Sequence, residues 1–371
     1  MTSLVFAAGA ATPESTAPPA PTWLWIAFGV SVVVLLALDL FVFHKEAHKI
    51  SLKEALWSNV LWVAIGLTFG LVVLWQLGSV SAGEYYAGYL LERALSIDNV
   101  FVFAVVFAFF AVPQRLQNGV LFWGIVMALF MRAFFILVGA ELIERFDWII
   151  FFFGALLIWT GWKMATHDVG EIDPSKNFAL KALRRLMPVS HAYHGDKYFV
   201  RPEEVDPNEE FDAGRKPGER GILGAWVATP LAAAILVVAG TDLVFAIDSI
   251  PAIFAITTDK FIIYTSNAFA LLGMRALYFL LADAMDRFIY LQMGLAVVLV
   301  FVGIKFIASE WYHVPIGISL GIIALAAGTS IVWSLLATRG QEPLLPGEPQ
   351  EHLEQEPPRE PLDKPPGFDE D

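Results

Sequence analysis

Long apolar runs, separated by short polar connectors, fill most of this chain. Several of them reach 18 residues or more with few charges, which is the length that an α-helix needs to cross a bilayer. Of the 371 residues, 57% are hydrophobic and 16% are charged, whereas a soluble domain carries about 25% charged residues. The runs therefore predict an all-α, polytopic bundle of transmembrane helices.

The apolar pattern predicts about nine spans between residues 22 and 338. Pro113 ends the third span because proline cannot donate the helix hydrogen bond. For the same reason Pro251, which leaves the carbonyl of Ile247 without its donor, is expected to interrupt the sixth span. The predicted spans are 23–43, 55–77, 85–111, 118–140, 148–166, 223–256, 261–282, 288–309 and 314–338.

Both ends of the chain have compositions typical of disorder. Residues 1–21 are rich in Ala, Pro, Ser and Thr and lack the basic start of a secretion signal. Residues 339–371 are rich in Pro and Glu, and after Gly340 they have ten acidic residues against Arg359 and Lys364. We expect a disordered extracytoplasmic N-terminus and a disordered, acidic cytoplasmic tail, which accounts for much of the net charge of −13.

The distribution of basic residues predicts the orientation. With the N-terminus outside, 18 Lys and Arg residues fall on the inner side and 3 on the outer side. Cytoplasmic segments of membrane proteins carry such an excess. The C-terminus and the polar loop 167–221 are therefore expected in the cytoplasm.

Two of the apolar segments each contain a pair of acidic residues, six positions apart. The third span has Glu92 and Asp98, and the sixth has Asp242 and Asp248. A charged group at the centre of a bilayer costs about 2.5–3.5 kcal/mol on insertion scales. Four such groups indicate a function rather than packing alone.

These segments belong to an internal repeat of three spans each, covering 84–166 (spans 3–5) and 223–309 (spans 6–8). The stretch 129–135, which contains Arg132, matches 272–278, which contains Arg275. Because three is odd, the second unit enters the membrane from the opposite side. Such 3+3 inverted repeats occur in secondary transporters, whose binding sites lie near the bilayer midplane between the repeats.

The charges favour a divalent cation. Four acids and two arginines leave two negative charges, and the chain has no cysteine and no histidine deep in a span. Such oxygen-only sites suit Mg²⁺, Ca²⁺ or Mn²⁺ rather than Zn²⁺ or Cu²⁺. The predicted metal ligands are Glu92, Asp98, Asn99, Asp242, Asp248 and Ser249, with Arg132 and Arg275 as compensating or gating charges.

Helix geometry places a condition on this site. Residues six apart on a straight helix point about 120° apart, so each pair of acids converges on one ion only if its helix is distorted. The alternative is a set of buried pairs between arginines and acids that hold the helices together.

With these residues in view, the chain resembles the TerC family of integral membrane proteins, which includes the Alx-type manganese exporters. The resemblance covers roughly residues 23–338 and rests on the segments 38–44, 51–55, 92–100, 240–251 and 267–278. It implies a bacterial inner-membrane protein of the wider LysE-like transporter group. It also implies that the transported ion is Mn²⁺ in preference to Ca²⁺ or Mg²⁺, and that Glu92, Asp98, Asp242 and Asp248 are the family's intramembrane acids.

The sequence thus predicts a secondary exporter rather than an enzyme. It has no phosphate-binding loop for ATP, so the energy would come from antiport of H⁺ or Na⁺. The expected partners are the metal ion and the lipid bilayer, with no nucleic acid; the oligomeric state is left open. A non-transporting membrane scaffold, acting in metal, tellurite or envelope stress resistance or in membrane-protein insertion, is the alternative. An intramembrane aspartyl protease is disfavoured because its sequence contexts are missing.

Overall fold

A computed structural model describes residues 20–41, 52–146, 148–166, 174–205, 226–281, 288, 290–309, 311–312 and 314–338. The predicted terminal segments therefore lie outside the described residues, except for Ala20 and Pro21. Ten α-helices and one short sheet form the described part of the chain. The helices are α1 (Thr22–Phe41), α2 (Leu52–Phe109), α3 (Gln114–Arg145), α4 (Ile149–Thr166), α5 (Phe178–Leu186), α6 (Pro230–Phe254), α7 (Lys260–Leu272), α8 (Met274–Leu281), α9 (Leu291–Ala308) and α10 (Ile316–Ala337).

Within the described residues, seven helices are long and apolar enough to cross a membrane, namely α1, α2, α3, α4, α6, α9 and α10. Large apolar side chains cover their outward faces. Trp75 is 82% exposed and Phe130 is 74% exposed. Such surfaces are unfavourable in water and suited to lipid. The chain is therefore an all-α, multi-pass membrane protein, as the sequence predicted.

Helix α2 is a hairpin of two helical arms. Gly78 has φ 88° and ψ −179°, a conformation that side-chain-bearing residues avoid. The Tyr85 hydroxyl donates to the carbonyl of Gly66 at 2.8 Å, and that of Tyr86 to Leu67 at 3.0 Å. These bonds are possible only if arms 52–77 and 79–109 run antiparallel, so the second and third predicted spans meet at one residue.

A second break lies between α7 and α8, inside the predicted seventh span. A Cβ atom at Gly273 would lie 2.6 Å from Nη1 of Arg93 and 3.0 Å from Cβ of Trp62. Arg93 Nη1 donates to the carbonyl of Ala270, at the end of α7, at 3.2 Å. A larger residue here would have to displace the guanidinium from this position.

The predicted interruption of the sixth span at Pro251 is wrong. Helix α6 continues from Pro230 to Phe254 with Pro251 inside it. The proline lies in the last turn, where the missing hydrogen bond removes one link and leaves no downstream helix to redirect. Asp248 is therefore on regular helix.

The most extensive helix contacts join helices of one predicted repeat to helices of the other. The arm 79–109 of α2 packs on α7 and α8, while α6 packs on α3, and α4 packs on α9. The α4–α9 contact is made by glycines. Cβ atoms at Gly154 and Gly303 would each lie 2.8–3.0 Å from the other's carbonyl oxygen, and one at Gly161 would lie 2.8 Å from that of Ala296. Side chains are thus excluded from the closest helix contact.

The segment between α4 and α6 folds back onto the helix ends. Its described part contains a 3₁₀ turn (Pro174–Lys176), α5 and strand β1 (Phe199–Val200), which pairs antiparallel with β2 (Val227–Ala228). The Tyr193 hydroxyl donates to the carbonyl of Phe110 at 2.5 Å. Burial raises the pKa of Tyr193 to about 12, so at neutral pH the hydroxyl keeps the proton that makes this bond.

Candidate functional site

Arg132 of α3 lies at the centre of a buried polar cluster. It is 1% exposed, and it donates from Nε to Oδ2 of Asp242 at 3.1 Å and from Nη2 to Oδ1 of the same residue at 3.0 Å. Its Nη1 forms an ion pair with Glu92 and donates to Ser249 Oγ at 3.3 Å. One guanidinium thus joins the third predicted span to the sixth through two carboxylates.

Two amides complete the cluster. Asn99 Nδ2 donates to Oδ1 of Asp242 at 3.2 Å, and Asn267 Nδ2 donates to Oε2 of Glu92 at 3.1 Å. Asn267, on α7, was not among the predicted site residues. The sequence indicated it only as a polar side chain at the start of the stretch 267–278, one of the segments that carry the family resemblance. The central cluster is Glu92, Asn99, Arg132, Asp242, Ser249 and Asn267.

The central cluster is sealed from solvent. Glu92 is 0% exposed and Asp242 is 2% exposed. Bidentate, charge-assisted hydrogen bonds of this kind are among the strongest in proteins. Two carboxylates face one guanidinium, so the ionisation of both would leave a charge of −1, which is costly in a medium of low dielectric constant.

Asp248 lies outside the central cluster. Its Oδ1 accepts a hydrogen bond from Thr160 Oγ1 of α4 at 2.9 Å, and Lys163 is close enough to interact with it electrostatically. The side chain is partly buried. Because α6 is regular here, Asp248 points away from Asp242, as the helical spacing requires.

Asp98 is also separate from the cluster. It is partly buried on the regular arm 79–109. No hydrogen bond or ion pair joins it to another residue in the described part of the chain. The structure therefore does not bring the four acids to one point.

Arg275 is placed elsewhere too. It forms an ion pair with the carboxylate of Asp39 on α1, and its Nη2 donates to the Asp39 carbonyl at 3.0 Å. Both side chains are buried. The expectation that Arg275 compensates the paired acids does not match this position, because α1, outside the predicted repeat, supplies its counter-charge.

A ready-made metal cage is not found among the described residues. They contain no group of three or more His, Cys, Asp or Glu side chains placed to hold a metal ion. The carboxylates of Glu92 and Asp242 come closest to forming such a group, and both are paired with Arg132. A cation could bind there only by competing with the guanidinium.

The helices and the buried arginine–carboxylate cluster define an integral, multi-pass membrane protein. The profile of the "Integral membrane protein TerC family" matches residues 77–342. The chain belongs to the TerC family.

Named relatives agree with this assignment. An "Uncharacterized membrane protein STKORF319" from Myxococcus xanthus is 42% identical over 316 residues, covering 85% of this chain and 93% of that protein. A "Putative membrane-bound redox modulator Alx" from Escherichia coli K12 is 39% identical over 309 residues, covering 81% and 90%. No solved structure matches the chain.

Proposed function

We propose that this protein is a secondary exporter of a divalent metal cation, with Mn²⁺ as the substrate, rather than an enzyme. The observation that carries the proposal is the central cluster. Carboxylates from two helices, one in each predicted repeat, meet in a sealed, lipid-surrounded interior. Membrane proteins retain such charges where ions or protons pass.

The chemistry of the cluster suits a hard cation. Glu92 and Asp242 offer carboxylate oxygens, Asn99 and Asn267 offer amide oxygens, and Ser249 offers a hydroxyl. Oxygen-only sets of this kind suit Mn²⁺, Mg²⁺ and Ca²⁺. In this account Arg132 is a tethered cation that holds the carboxylates together until the metal ion displaces it.

Asp98 and Asp248 then have a separate role in the proposal. They lie on the same two helices as Glu92 and Asp242, but outside the cluster. When a metal ion balances the two central carboxylates, Arg132 needs another counter-charge. We assign Asp98 and Asp248 to that step, or to carrying the H⁺ or Na⁺ that is exchanged.

The proposed architecture is nine spans with inverted repeats at 84–166 and 223–309, within a transporter domain of residues 22–338. The two antiparallel arms of α2 and the broken helix α7–α8 support this count. The glycine contacts support the repeat: Gly161 matches Gly303, and Ala296 stands at the same offset from Gly154. The proposed location is the bacterial inner membrane, with the N-terminus outside and with loop 167–221 and tail 339–371 in the cytoplasm.

Metal uptake into inverted membrane vesicles tests the proposal. The wild-type protein should accumulate Mn²⁺, and the rate should change when the pH or Na⁺ gradient is collapsed. Glu92→Gln and Asp242→Asn should each lower the rate about tenfold or more, as expected for lost ligands. Glu141→Gln, which removes an exposed ion pair with Arg145, is the matched control. Wild-type transport in the two central variants would contradict the assignment.

A second candidate is a non-transporting scaffold, and one observation favours it. Arg132 already satisfies both carboxylates, as in a purely structural ion pair. Some relatives are named as redox modulators, but that name does not support a thiol-based role for this chain, which has no cysteine.

A triple variant separates the two candidates. Glu92→Gln, Arg132→Met and Asp242→Asn together remove all the central charges, and replacing a whole buried ion pair is often tolerated. A scaffold should then remain folded and support metal resistance in cells. An exporter should remain folded and lose both transport and resistance.

A further inference from the structure

A basic segment, residues 174–186, lies against α6. It comprises the turn Pro174–Lys176 and α5, and it has four basic residues and no acidic one. Leu180 and Leu183 are buried, whereas Phe178 is 51% exposed and Leu186 is 40% exposed. Exposed apolar and basic side chains on one short helix are typical of a helix that lies in a membrane interface. Its basic residues are Lys176, Lys181, Arg184 and Arg185.

An apolar cavity of about 380 Å³ is lined by residues of both the basic segment and α6. Lys176 is the one charged residue among its described lining residues. Val244 also lines the cavity and is 50% exposed on the surface of a membrane-crossing helix. The cavity therefore opens towards lipid and has a cation at its edge. Its lining residues are Pro174, Lys176, Asn177, Val237, Thr241, Val244 and Phe245.

The cavity is built next to the central cluster. Asn177, which caps α5 through Ala179 N–H, donates from Nδ2 to Thr241 Oγ1 at 3.2 Å. A Cβ atom at Gly240 would lie 2.8 Å from that of Ala179, so glycine allows the segment to approach α6 closely. The wall of the cavity is thus fixed one residue away from Asp242.

We propose that this cavity binds one anionic phospholipid. An acyl chain fills the apolar space beside Val237 and Val244, and the headgroup phosphate contacts Lys176, with Lys181 adding positive charge on the same segment. The charges are complementary, because anionic headgroups attract basic residues at the membrane surface. A neutral lipid could fill the cavity, but it would gain nothing from the basic segment.

The site is independent of the transported ion, although its position suggests a consequence. A lipid that orders the basic segment also orders Asn177 and Thr241. Lipid composition should then affect the stability of the helix that carries Asp242. This link holds whether the protein is an exporter or a scaffold.

Lipid competition on the purified full-length protein tests the proposal. Native mass spectrometry would compare retention of phosphatidylglycerol with that of phosphatidylcholine of the same chain length. The expected result is a preference for phosphatidylglycerol, lowered on the order of tenfold in Lys176→Gln/Lys181→Gln. The control variant Lys53→Gln/Arg115→Gln, which removes two exposed charges at the starts of α2 and α3, should retain the preference for phosphatidylglycerol.

Further arms separate the acyl chain from the phosphate. Val244→Trp should lower the retention of both lipids, because the indole occupies the cavity. Thermal unfolding in phosphatidylcholine and size-exclusion profiles check that each variant is folded. Equal retention of the two lipids, an unchanged preference in Lys176→Gln/Lys181→Gln, or equal stabilisation by inorganic phosphate alone would overturn the proposal.

Discussion

Arg132 and Arg275 occupy matching places in the sequence but have different partners. Arg132 holds Glu92 and Asp242, whereas Arg275 pairs with Asp39 of α1. The two halves are therefore not equivalent in charge. Arg132 pairs with two carboxylates that lie in different predicted repeats, which makes its centre the stronger candidate for ion binding.

At this centre, removing the arginine should cost more stability than removing one carboxylate charge. Arg132→Gln leaves two buried carboxylates with no counter-charge, and unpaired buried charges cost about 3–5 kcal/mol. Glu92→Gln leaves Arg132 paired with Asp242, so its cost should be smaller. Thermal unfolding of the purified proteins, followed by tryptophan fluorescence, measures the difference.

The order of the two variants is the informative result. If Glu92→Gln were as destabilising as Arg132→Gln, the balance of charge would not decide the stability of this centre. Arg145→Gln, at an exposed ion pair, should be close to wild type and serves as the control.

The sequence predicted which residues are charged inside the membrane, but not how they pair. The repeat identified Glu92, Asp242 and Arg132, and the structure brings them together. The position of Asp98 and the pairing of Arg275 with Asp39 could not be predicted, because pairing depends on which helix faces which. Those contacts arise from packing between residues more than 200 positions apart, as for Arg275 and Asp39.

At the scale of helices, Gly78 determines where the α2 hairpin turns. The apolar pattern predicted a polar connection at 78–84, but the helix resumes immediately after Gly78. The pattern also predicted one span over 261–282, which Gly273 divides. Hydrophobic periodicity locates membrane segments well, but it does not report a backbone conformation that one glycine allows.

Gly78→Ala should therefore destabilise the protein. An alanine at φ 88° and ψ −179° would be strained by about 1–3 kcal/mol. Gly29→Ala, in α1, has no atom within 4 Å of the added Cβ and no unusual φ, so it should be neutral or slightly stabilising. Thermal unfolding of both variants in the same detergent is the measurement. Equal stability of the two would show that the Gly78 conformation is not required.

At the scale of the whole molecule, the proposed orientation follows from the basic residues and from the parity of the spans. The loop between α6 and α7 should then face the outside, and the segment between α5 and β1 should face the cytoplasm. The absence of cysteine makes the native chain a clean background for labelling. Thr258 and Asp196 are exposed positions in these two segments.

Single cysteines at these positions test the topology. In intact spheroplasts, a membrane-impermeant maleimide should label Thr258→Cys and should label Asp196→Cys only after the membrane is opened. The reverse labelling pattern would show that the protein has the opposite orientation, and the proposed direction of transport would then be import. Labelling of both from one side would contradict the number of spans between them.

The proposed transport requires Glu92 and Asp242 to bind the metal ion when Arg132 moves away. Anomalous diffraction at the manganese absorption edge, from crystals of the full-length protein grown with Mn²⁺, tests it most directly. We predict an anomalous peak within coordination distance of both carboxylates, with the Arg132 guanidinium displaced, and no such peak in Asp242→Asn crystals. A central cluster in which Arg132 still holds both acids, with manganese bound elsewhere, would contradict it.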